Sequence, residues 1–331
     1  MRTIKAIFAT VVLLTAFVGC QPAKRYVAVE GYMLGTTFRV VANTTIAQSD
    51  IYAMAQRIDG EAKASMSIFN PNSLINRINE NKTDSLDIHL LRNIAVAARI
   101  NSMSGGAYDI TIKPLTDAYG FAAKGKIEHP NIDSLLQFVG FDKFRVAGNR
   151  IVKSDSRVQL DLNSLAKGYV VDLFADELEQ NGVVDYIVEI GGEIRASGVN
   201  ARGGEWRVGV DSPFEGNQSP GEYQQTVIRI SDKALATSGN YRRYYTDSEG
   251  NKVTHTISPK TGRSVVSRLL SATVVATRCV EADAFATMFM AMGDKAAVEL
   301  AEELAESGVG VYFVLSDGGE QYKVFSTIEG M

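Results

Sequence analysis

The sequence predicts an α+β protein in which mixed, largely antiparallel sheets pack against helices. Strand-like and helix-like segments follow one another without the regular βαβ alternation that is typical of a parallel sheet. Alternating apolar and polar residues at 25–42 and again at 310–325 each predict a hairpin. Hydrophobic residues make up 45% of the 331 residues, as expected for a globular chain with a sizeable core.

The first half of the chain predicts one hairpin, two helices and three short strands. The hairpin turns near Leu34-Gly35, and the first helix, which reaches about Ala64, contains an unfavourable Gly60. Apolar residues share one face of the second helix, which Gly105 ends. These elements are the hairpin at 25–42, helices at 49–69 and 85–105, and strands at 143–147, 150–153 and 157–162.

The second half predicts more strands than helices. Its first helix has an apolar face and ends at Gly182, and a Gly191-Gly192 pair breaks the strand that follows. These elements are helices at 164–181, 282–293 and 294–308, strands at 184–198, 205–211, 223–230, 241–247, 252–257 and 269–277, and the closing hairpin at 310–325.

The N-terminus has the pattern of a bacterial lipoprotein signal. A short basic head precedes an apolar run at 7–18, which is too short to span a membrane and ends near Cys20. We expect residues 1–19 to be a signal peptide and Cys20 to be lipid-modified after cleavage; the alternative is an ordinary signal with a chance cysteine. Residues 20–331 would form one mature domain, in which only Cys279 remains as a thiol and no disulfide framework exists.

Several function classes are excluded by composition and by missing motifs. The net charge of −4, with no basic stripe among aromatic residues, argues against a nucleic-acid partner. The three histidines and two cysteines show no zinc spacing. The chain also lacks HExxH, GxSxG, GxxxxGK[ST] and GxGxxG, the common hydrolase and nucleotide motifs.

The stretch LDLNSLAKGYVVD at 160–172 places a cation and a glycine in the first turn of a helix. Asn163 or Ser164 could cap this helix, and its free amides and positive dipole end favour an anion. Lys167 adds a full charge, and Gly168 permits close approach by a ligand or another backbone. The sequence therefore indicates a phosphate site, with a surface lysine on a closely packed helix as the alternative.

The segment ADAFAT at 282–287 contains a candidate cation site. Asp283 and Thr287 are four residues apart and share one face of a helix. A carboxylate and a hydroxyl are hard oxygen ligands, which Mg²⁺ prefers together with water and substrate phosphate. The alternative is an acidic residue in the first turn of the helix with an uninvolved threonine.

Two further segments contain candidate polar groups. SGGAYDITIKPL at 104–115 joins a glycine pair to a Tyr-Asp pair and a predicted short strand, where Asp109 could accept from a sugar hydroxyl or a base edge. ATSGNYRRYY at 236–245 predicts a small polar turn. HTISPKTG at 255–262 contains His255, a lone histidine whose role is either catalytic or structural.

An acyl-enzyme alternative comes from three motifs in the order found in penicillin-binding proteins and β-lactamases. In those folds the third motif lies on a strand, whereas Lys260-Thr261-Gly262 follows a proline in a predicted turn. The short spacing between the second and third motifs also leaves little room for the helical domain of those folds. The motifs are Ser164-x-x-Lys167, Ser238-Gly-Asn240 and Lys260-Thr261-Gly262.

Taken together, these segments resemble the ApbE family of FAD:protein FMN transferases, also called thiamine-biosynthesis lipoproteins. The resemblance runs from about Met33 to Phe325, and its strength lies in eight weak motifs in the right order. Family members often have Tyr at Phe69 and Asp at Glu193. The motifs are MLGTTF, MSIFNPNSLINRIN, SGGAYDITIKPL, LDLNSLAKGYVVD, IVEIGGEIRASG, ATSGNYRRYY, HTISPKTG and ADAFATMFMAMG.

The resemblance implies an ApbE-like, T-fold-related structure and Mg²⁺-dependent transfer of FMN from FAD to a Thr or Ser of an acceptor protein, with release of AMP. It implies that Asp283, Thr287 and an oxygen of Ser164 bind the metal, and that Lys167 holds phosphate. His255 is the favoured base, with Asp283 as the other candidate. The remaining residues that the resemblance places around FAD are Met33, Phe69, Ala107, Tyr108, Asp109, Asp161 and Thr256.

The resemblance also implies partners and a location. Family acceptors include subunits of membrane redox pumps that carry a motif like Asp-x-x-Ser/Thr-Gly-Ala-Thr, which this chain lacks. We expect a lipid-anchored protein on the periplasmic side of a bacterial membrane, with the inner membrane favoured. The alternatives left open are an FAD pyrophosphatase that produces FMN and AMP, and an FAD-binding lipoprotein without catalysis.

Overall fold

The computed structural model describes residues 25–122, 125–214, 217, 221–241, 243–318 and 321–329. The predicted signal peptide at 1–19 and the predicted lipidation site at Cys20 lie outside these residues. Among the described helices, none combines the length and the apolar composition that crossing a bilayer requires.

An eight-stranded sheet, antiparallel throughout, forms the centre of the fold. Its strands run in the order β1-β2-β5-β6-β9-β12-β13-β14, and three hairpins, β3-β4, β7-β8 and β10-β11, lie outside it. The strands are β1 Tyr26–Met33, β2 Thr36–Asn43, β3 Phe144–Ala147, β4 Arg150–Lys153, β5 Tyr186–Ile190, β6 Glu193–Ser197, β7 Trp206–Asp211, β8 Gln224–Ile230, β9 Lys233–Gly239, β10 Tyr244–Thr246, β11 Lys252–Thr254, β12 Leu269–Ala276, β13 Gly310–Ser316 and β14 Tyr322–Ser326.

Helices cover one face of this sheet and build the main core there. Phe174 of α6 and Phe289 of α7 are fully buried beneath the sheet, and Ile51 of α1 and Ala301 of α8 join them. The helices are α1 Gln48–Met66, α2 Leu74–Asn79, α3 Ile88–Met103, α4 Lys113–Ala118, α5 Ile132–Leu136, α6 Ala166–Gln180, α7 Cys279–Met292 and α8 Asp294–Ala305.

The hairpin β7-β8 packs against the opposite face of the sheet. Trp206, Val208 and Val210 alternate toward a second, smaller core that includes Ile194 of β6 and Leu235 of β9. The sheet is therefore covered on both sides in this region, and consecutive residues of its central strand β9, Ala234, Leu235 and Ala236, are all buried. The predicted α+β class with largely antiparallel strands is confirmed.

Two predicted strands are wrong. Residues 157–162 form no strand, because their backbone groups bind elsewhere: Leu160 N donates to the side chain of Asn79 and Asp161 N to the carbonyl of Ile110. The strand predicted within 104–115 is a 3₁₀ turn that leads into α4. Asp109 accepts from Thr111 N at 2.8 Å and starts this turn, and a proline lies in the first turn of α4.

Strand β9 is absent from the prediction, although it lies at the centre of the sheet between β6 and β12. Its sequence KALATSG has small buried residues and ends in polar ones, so the apolar alternation of a strand is missing. The neighbouring segment 184–198 forms a hairpin rather than one broken strand, since Gly191 and Gly192 both adopt positive φ and form its turn.

Candidate active site

A cavity of about 930 Å³ lies between the sheet, the hairpin β7-β8 and the start of α6. This volume is near the upper end of the range for ligand sites. Most of the predicted site residues line it. Those that do are Ala107, Tyr108, Asp109, Asp161, Ser164, Lys167, His255, Thr256, Asp283 and Thr287.

The start of α6 is fixed by a contact with α7. Gly168 has no side chain, and a Cβ there would lie 2.3 Å from the carbonyl oxygen of Cys279 and 2.8 Å from Cβ of Asp283. The glycine therefore allows the two helices to touch. Gly168 N donates to Asp283 Oδ2 at 3.0 Å, so a side chain from α7 satisfies a first-turn amide of α6.

The predicted caps of α6 are wrong. Leu165 occupies the N-cap position and makes no side-chain cap, because its side chain has no hydrogen-bond acceptor. Ser164 Oγ lies 2.8 Å from the hydroxyl of Tyr108. Gly168 N donates to Asp283 rather than back along the helix to the carbonyl oxygen of Ser164.

Asp283 and Thr287 lie on one face of α7 and both face the cavity, as predicted. Burial raises the pKa of Asp283 to about 8, and the charge of Glu193 adds to this effect while Lys167 opposes it. Thr287 Oγ1 lies 3.3 Å from Ser238 Oγ of β9.

A divalent cation fits these donors. Asp283 supplies a buried carboxylate, and Thr287 and the Ser164 carbonyl supply neutral oxygens, which are the hard ligands that Mg²⁺ takes together with water. No group of three His, Cys, Asp or Glu side chains suited to a metal occurs in the part of the chain that the structure describes.

Lys167 is held at the cavity by a buried carboxylate. Its Nζ lies 2.5 Å from Glu193 Oε1 of β6. Burial acts to lower the pKa of Lys167, but the carboxylates of Glu193 and Asp283 outweigh it and leave the pKa above its ordinary value. The ammonium is therefore charged at neutral pH.

His255 is a neutral imidazole in this site. Burial lowers its pKa to about 4, and the charges of Arg243 and Lys167 act in the same direction. Its Nδ1 lies 3.3 Å from the carbonyl oxygen of Arg243. A carbonyl only accepts hydrogen bonds, so Nδ1 carries the proton and Nε2 keeps the lone pair that a base needs.

The remaining cavity residues supply polar positions around these groups. Asp109 accepts from Thr111 Oγ1 at 2.6 Å, and Asp161 accepts from Asn163 N at 2.9 Å. Burial raises the pKa of both carboxyls, and these hydrogen bonds oppose the shift. Thr256 Oγ1 donates to Asn240 Oδ1 at 2.7 Å.

A protein-family sequence model, described as the ApbE family, matches residues 34–313 of this chain. The chain belongs to the ApbE family. A relative from Vibrio cholerae serotype O1, named FAD:protein FMN transferase, is 31% identical over 316 residues that cover 91% of each chain. A relative of the same name from Escherichia coli K12 is 29% identical over 336 residues, which cover 94% of this chain and 93% of the relative.

Solved ApbE structures show the same fold. The flavin transferase ApbE from Vibrio cholerae superposes with a TM-score of 0.80 at 28% identity, covering 92% of this chain and 97% of that one. The flavinyl transferase ApbE from Pseudomonas stutzeri, in its apo form, gives a TM-score of 0.79 at 27% identity, covering 92% and 94%. The resemblance drawn from eight motifs is thus confirmed.

Two predicted site residues of this ApbE chain lie outside the cavity. Met33 is 2% exposed and belongs to the main core at the end of β1. Phe69 is 61% exposed and borders a separate pocket of about 210 Å³ that also contains Lys113. The structure therefore brings neither side chain to the candidate cation and phosphate positions.

Some contacts at the site of this ApbE chain are not evident from the sequence. Ser238 lies beside Thr287, and Asn240 accepts from Thr256, in a segment whose sequence predicts a turn. The role of Glu193 is not evident from the sequence either, and its position directly after the glycine pair is the only sequence signal that places it near the site. The acyl-enzyme alternative finds no support, since Lys260-Thr261-Gly262 forms a turn rather than an edge strand.

An NMR titration should find that His255 stays neutral far below the usual pH. Burial and the adjacent cations disfavour the imidazolium, so we expect a midpoint near the pKa of about 4. The signal is assigned by its loss in His255→Ala, and circular dichroism checks that the protein stays folded over the titration. A midpoint near 6.5 would show a solvated imidazole and contradict this environment.

Proposed function

We propose that this chain transfers the FMN half of FAD to a Thr or Ser hydroxyl of an acceptor protein, with Mg²⁺ bound, and releases AMP. The acceptor oxygen forms a phosphoester bond with the FMN phosphorus while the pyrophosphate bond to AMP breaks, and the hydroxyl proton passes to a base. The observation that carries this proposal is that Lys167, Asp283 and His255 line one cavity. The relatives named FAD:protein FMN transferase support the transfer of FMN from FAD to a protein.

Two features of α6 would bind the pyrophosphate. The positive end of the helix dipole favours an anion at this position, although the first-turn amides of Ala166 and Gly168 already donate to Leu162 and Asp283. Lys167 adds a full charge within the same turn. Because its ion pair with Glu193 already fixes the side chain, little side-chain entropy is lost when a phosphate binds.

Asp283, Thr287 and the Ser164 carbonyl would hold Mg²⁺. When bound, the cation withdraws negative charge from the phosphate oxygens as the leaving group departs. Gly168 N fixes the Asp283 carboxylate through Oδ2, so the ligand is oriented before the cation arrives.

His255 is the base that the geometry favours over Asp283. Its neutral form and its protonated Nδ1 leave Nε2 free to accept the hydroxyl proton of the acceptor. Asp283 already accepts from Gly168 and serves as the metal ligand, so it is less suited to carry a proton away.

Replacing His255 with Ala should leave FAD binding intact and slow FMN transfer by about 10²- to 10⁴-fold, the usual contribution of a general base. His89→Ala is the matched control, because His89 binds the hydroxyl of Tyr169 outside the cavity. Flavin fluorescence measures binding and intact mass measures transfer. Transfer at the normal rate in His255→Ala would remove this residue as the base.

The function itself is tested by mixing the purified full chain with FAD, Mg²⁺ and an acceptor domain that carries Asp-x-x-Ser/Thr-Gly-Ala-Thr. A mass gain of one FMN on the acceptor, lost with EDTA, together with AMP release, supports the transferase. AMP and free FMN without a mass gain would identify a pyrophosphatase. Bound FAD with neither product would identify a flavin-binding lipoprotein.

We further propose that the mature protein is anchored at the membrane. The sequence pattern that ends at Cys20 supports cleavage after residues 1–19 and lipid modification on the periplasmic side of a membrane. The inner membrane is favoured because membrane redox-pump subunits would be the acceptors there. Metabolic labelling with a palmitate analogue tests the anchor, since Cys20→Ala should lose the label.

A further inference from the structure

Glu193 is a buried carboxylate with an unsatisfied oxygen. It is 3% exposed, and only Oε1 has a partner, the Nζ of Lys167 at 2.5 Å. Oε2 is buried without a hydrogen-bond partner. An incompletely paired carboxylate costs free energy, and a well-packed apolar residue would often be at least as stabilising.

The position of this carboxylate is also unfavourable for an anionic ligand. Glu193 and Asp283 both line the cavity beside Lys167, and each carboxylate raises the pKa of Lys167 while the charge of Glu193 raises that of Asp283. The carboxylate of Glu193 already neutralises the ammonium of Lys167 through their ion pair. Without another cation, the group formed by these three side chains therefore offers a phosphate no net positive charge.

We propose that Glu193 makes binding of the dinucleotide phosphates at Lys167 conditional on a divalent cation beside Asp283. The two charges of the cation give the group a net positive charge, so cation and dinucleotide strengthen each other's binding. Glu193 acts as a positioning residue that holds Lys167 and prevents binding of FAD without metal. The inference rests on the proposed function, because it takes FAD as the ligand.

The experiment measures the dissociation constant of FAD for the full chain in EDTA and in MgCl₂. Trp206, the only tryptophan of the chain, lines the cavity and reports flavin binding through its fluorescence. Glu193→Gln keeps the shape and an acceptor for Lys167 but removes the charge. We expect it to bind FAD roughly tenfold more tightly in EDTA and to reduce the gain from Mg²⁺ roughly tenfold, within the usual range of coupling between two sites.

Glu189→Gln is the matched control. Glu189 lies in the same hairpin and cavity and accepts from Gly192 N at 2.8 Å, but it forms no pair with Lys167. This variant should keep the wild-type effect of Mg²⁺ on FAD affinity.

Weaker FAD binding by Glu193→Gln in both conditions would mean that Glu193 only supports Lys167, and this would overturn the proposal. Unchanged affinities in that variant, or wild-type binding that ignores Mg²⁺, would overturn it as well. A transfer assay on the same samples separates the two proposals. Mg²⁺-dependent FAD binding without FMN transfer would refute the transferase and leave the role of Glu193 standing.

Discussion

Asp283→Asn should abolish FMN transfer while leaving the fold intact. The amide oxygen of Asn can still accept from Gly168 N, so the contact between α6 and α7 remains. What is lost is the charge that binds the cation, and a bound metal contributes several kcal/mol to such reactions, or about 10³-fold or more in rate. Transfer is measured by intact mass, and Mg²⁺ binding by its effect on FAD affinity.

The same variant should unfold at an equal or higher temperature than the wild type in EDTA at pH 8. The folded-state pKa of Asp283 is raised, so its ionised form destabilises the fold, and this penalty grows as the pH rises from the unfolded pKa toward about 8. Asn carries no such charge. A large drop in unfolding temperature would show that Asp283 is mainly a structural residue.

Asp172→Asn should have the opposite effects, a lower stability with intact FMN transfer, and it serves as the control. Asp172 is fully buried outside the cavity, where it accepts from Cys279 N and Val280 N at the start of α7 and pairs with Arg195. Its replacement should lower stability, since it breaks a buried ionic network. The folded fraction should still transfer FMN, so a strong rate loss in this variant would weaken the assignment of Asp283.

Most of the fold was predictable because its signals are local. The hairpin β1-β2 and helix α3 follow from alternation and from an apolar face within one segment. Strand β9 could not be predicted, because its backbone is paired on both sides by strands distant in sequence and its small residues lack alternation. Residues 157–162 have a strand-like sequence, but their backbone binds the side chain of Asn79 and the carbonyl of Ile110, which lie far away in the sequence.

The candidate site was predictable where two functional groups lie within one turn. Asp283 and Thr287 share a face of α7, and Lys167 lies beside Gly168 in α6. The pairing of Lys167 with Glu193 was not predictable, since it joins a helix to a strand across the fold. Whether a side chain faces the cavity also depends on packing, which is why Met33 was expected there and lies in the core.

Gly168→Ala should damage both stability and catalysis. The new Cβ would overlap the backbone carbonyl of Cys279, which cannot move aside as a flexible side chain could. Overpacking of this kind costs about 3 kcal/mol, more than the roughly 1 kcal/mol that Ala gains over Gly in a helix. Separation of α6 from α7 would also move Lys167 away from Asp283, and a shift near 1 Å is enough for about a 10²-fold loss of rate.

Gly60→Ala separates this packing effect from helix propensity. Gly60 lies inside α1, where a Cβ would meet no atom within 4 Å. Denaturant unfolding should therefore show a gain of about 0.5–1 kcal/mol for Gly60→Ala and a loss for Gly168→Ala. A Gly168→Ala protein as stable and active as the wild type would contradict the close contact of α6 with α7. In that case the glycine would be dispensable, and the Asp283 carboxylate could reach Gly168 N without the two helices touching.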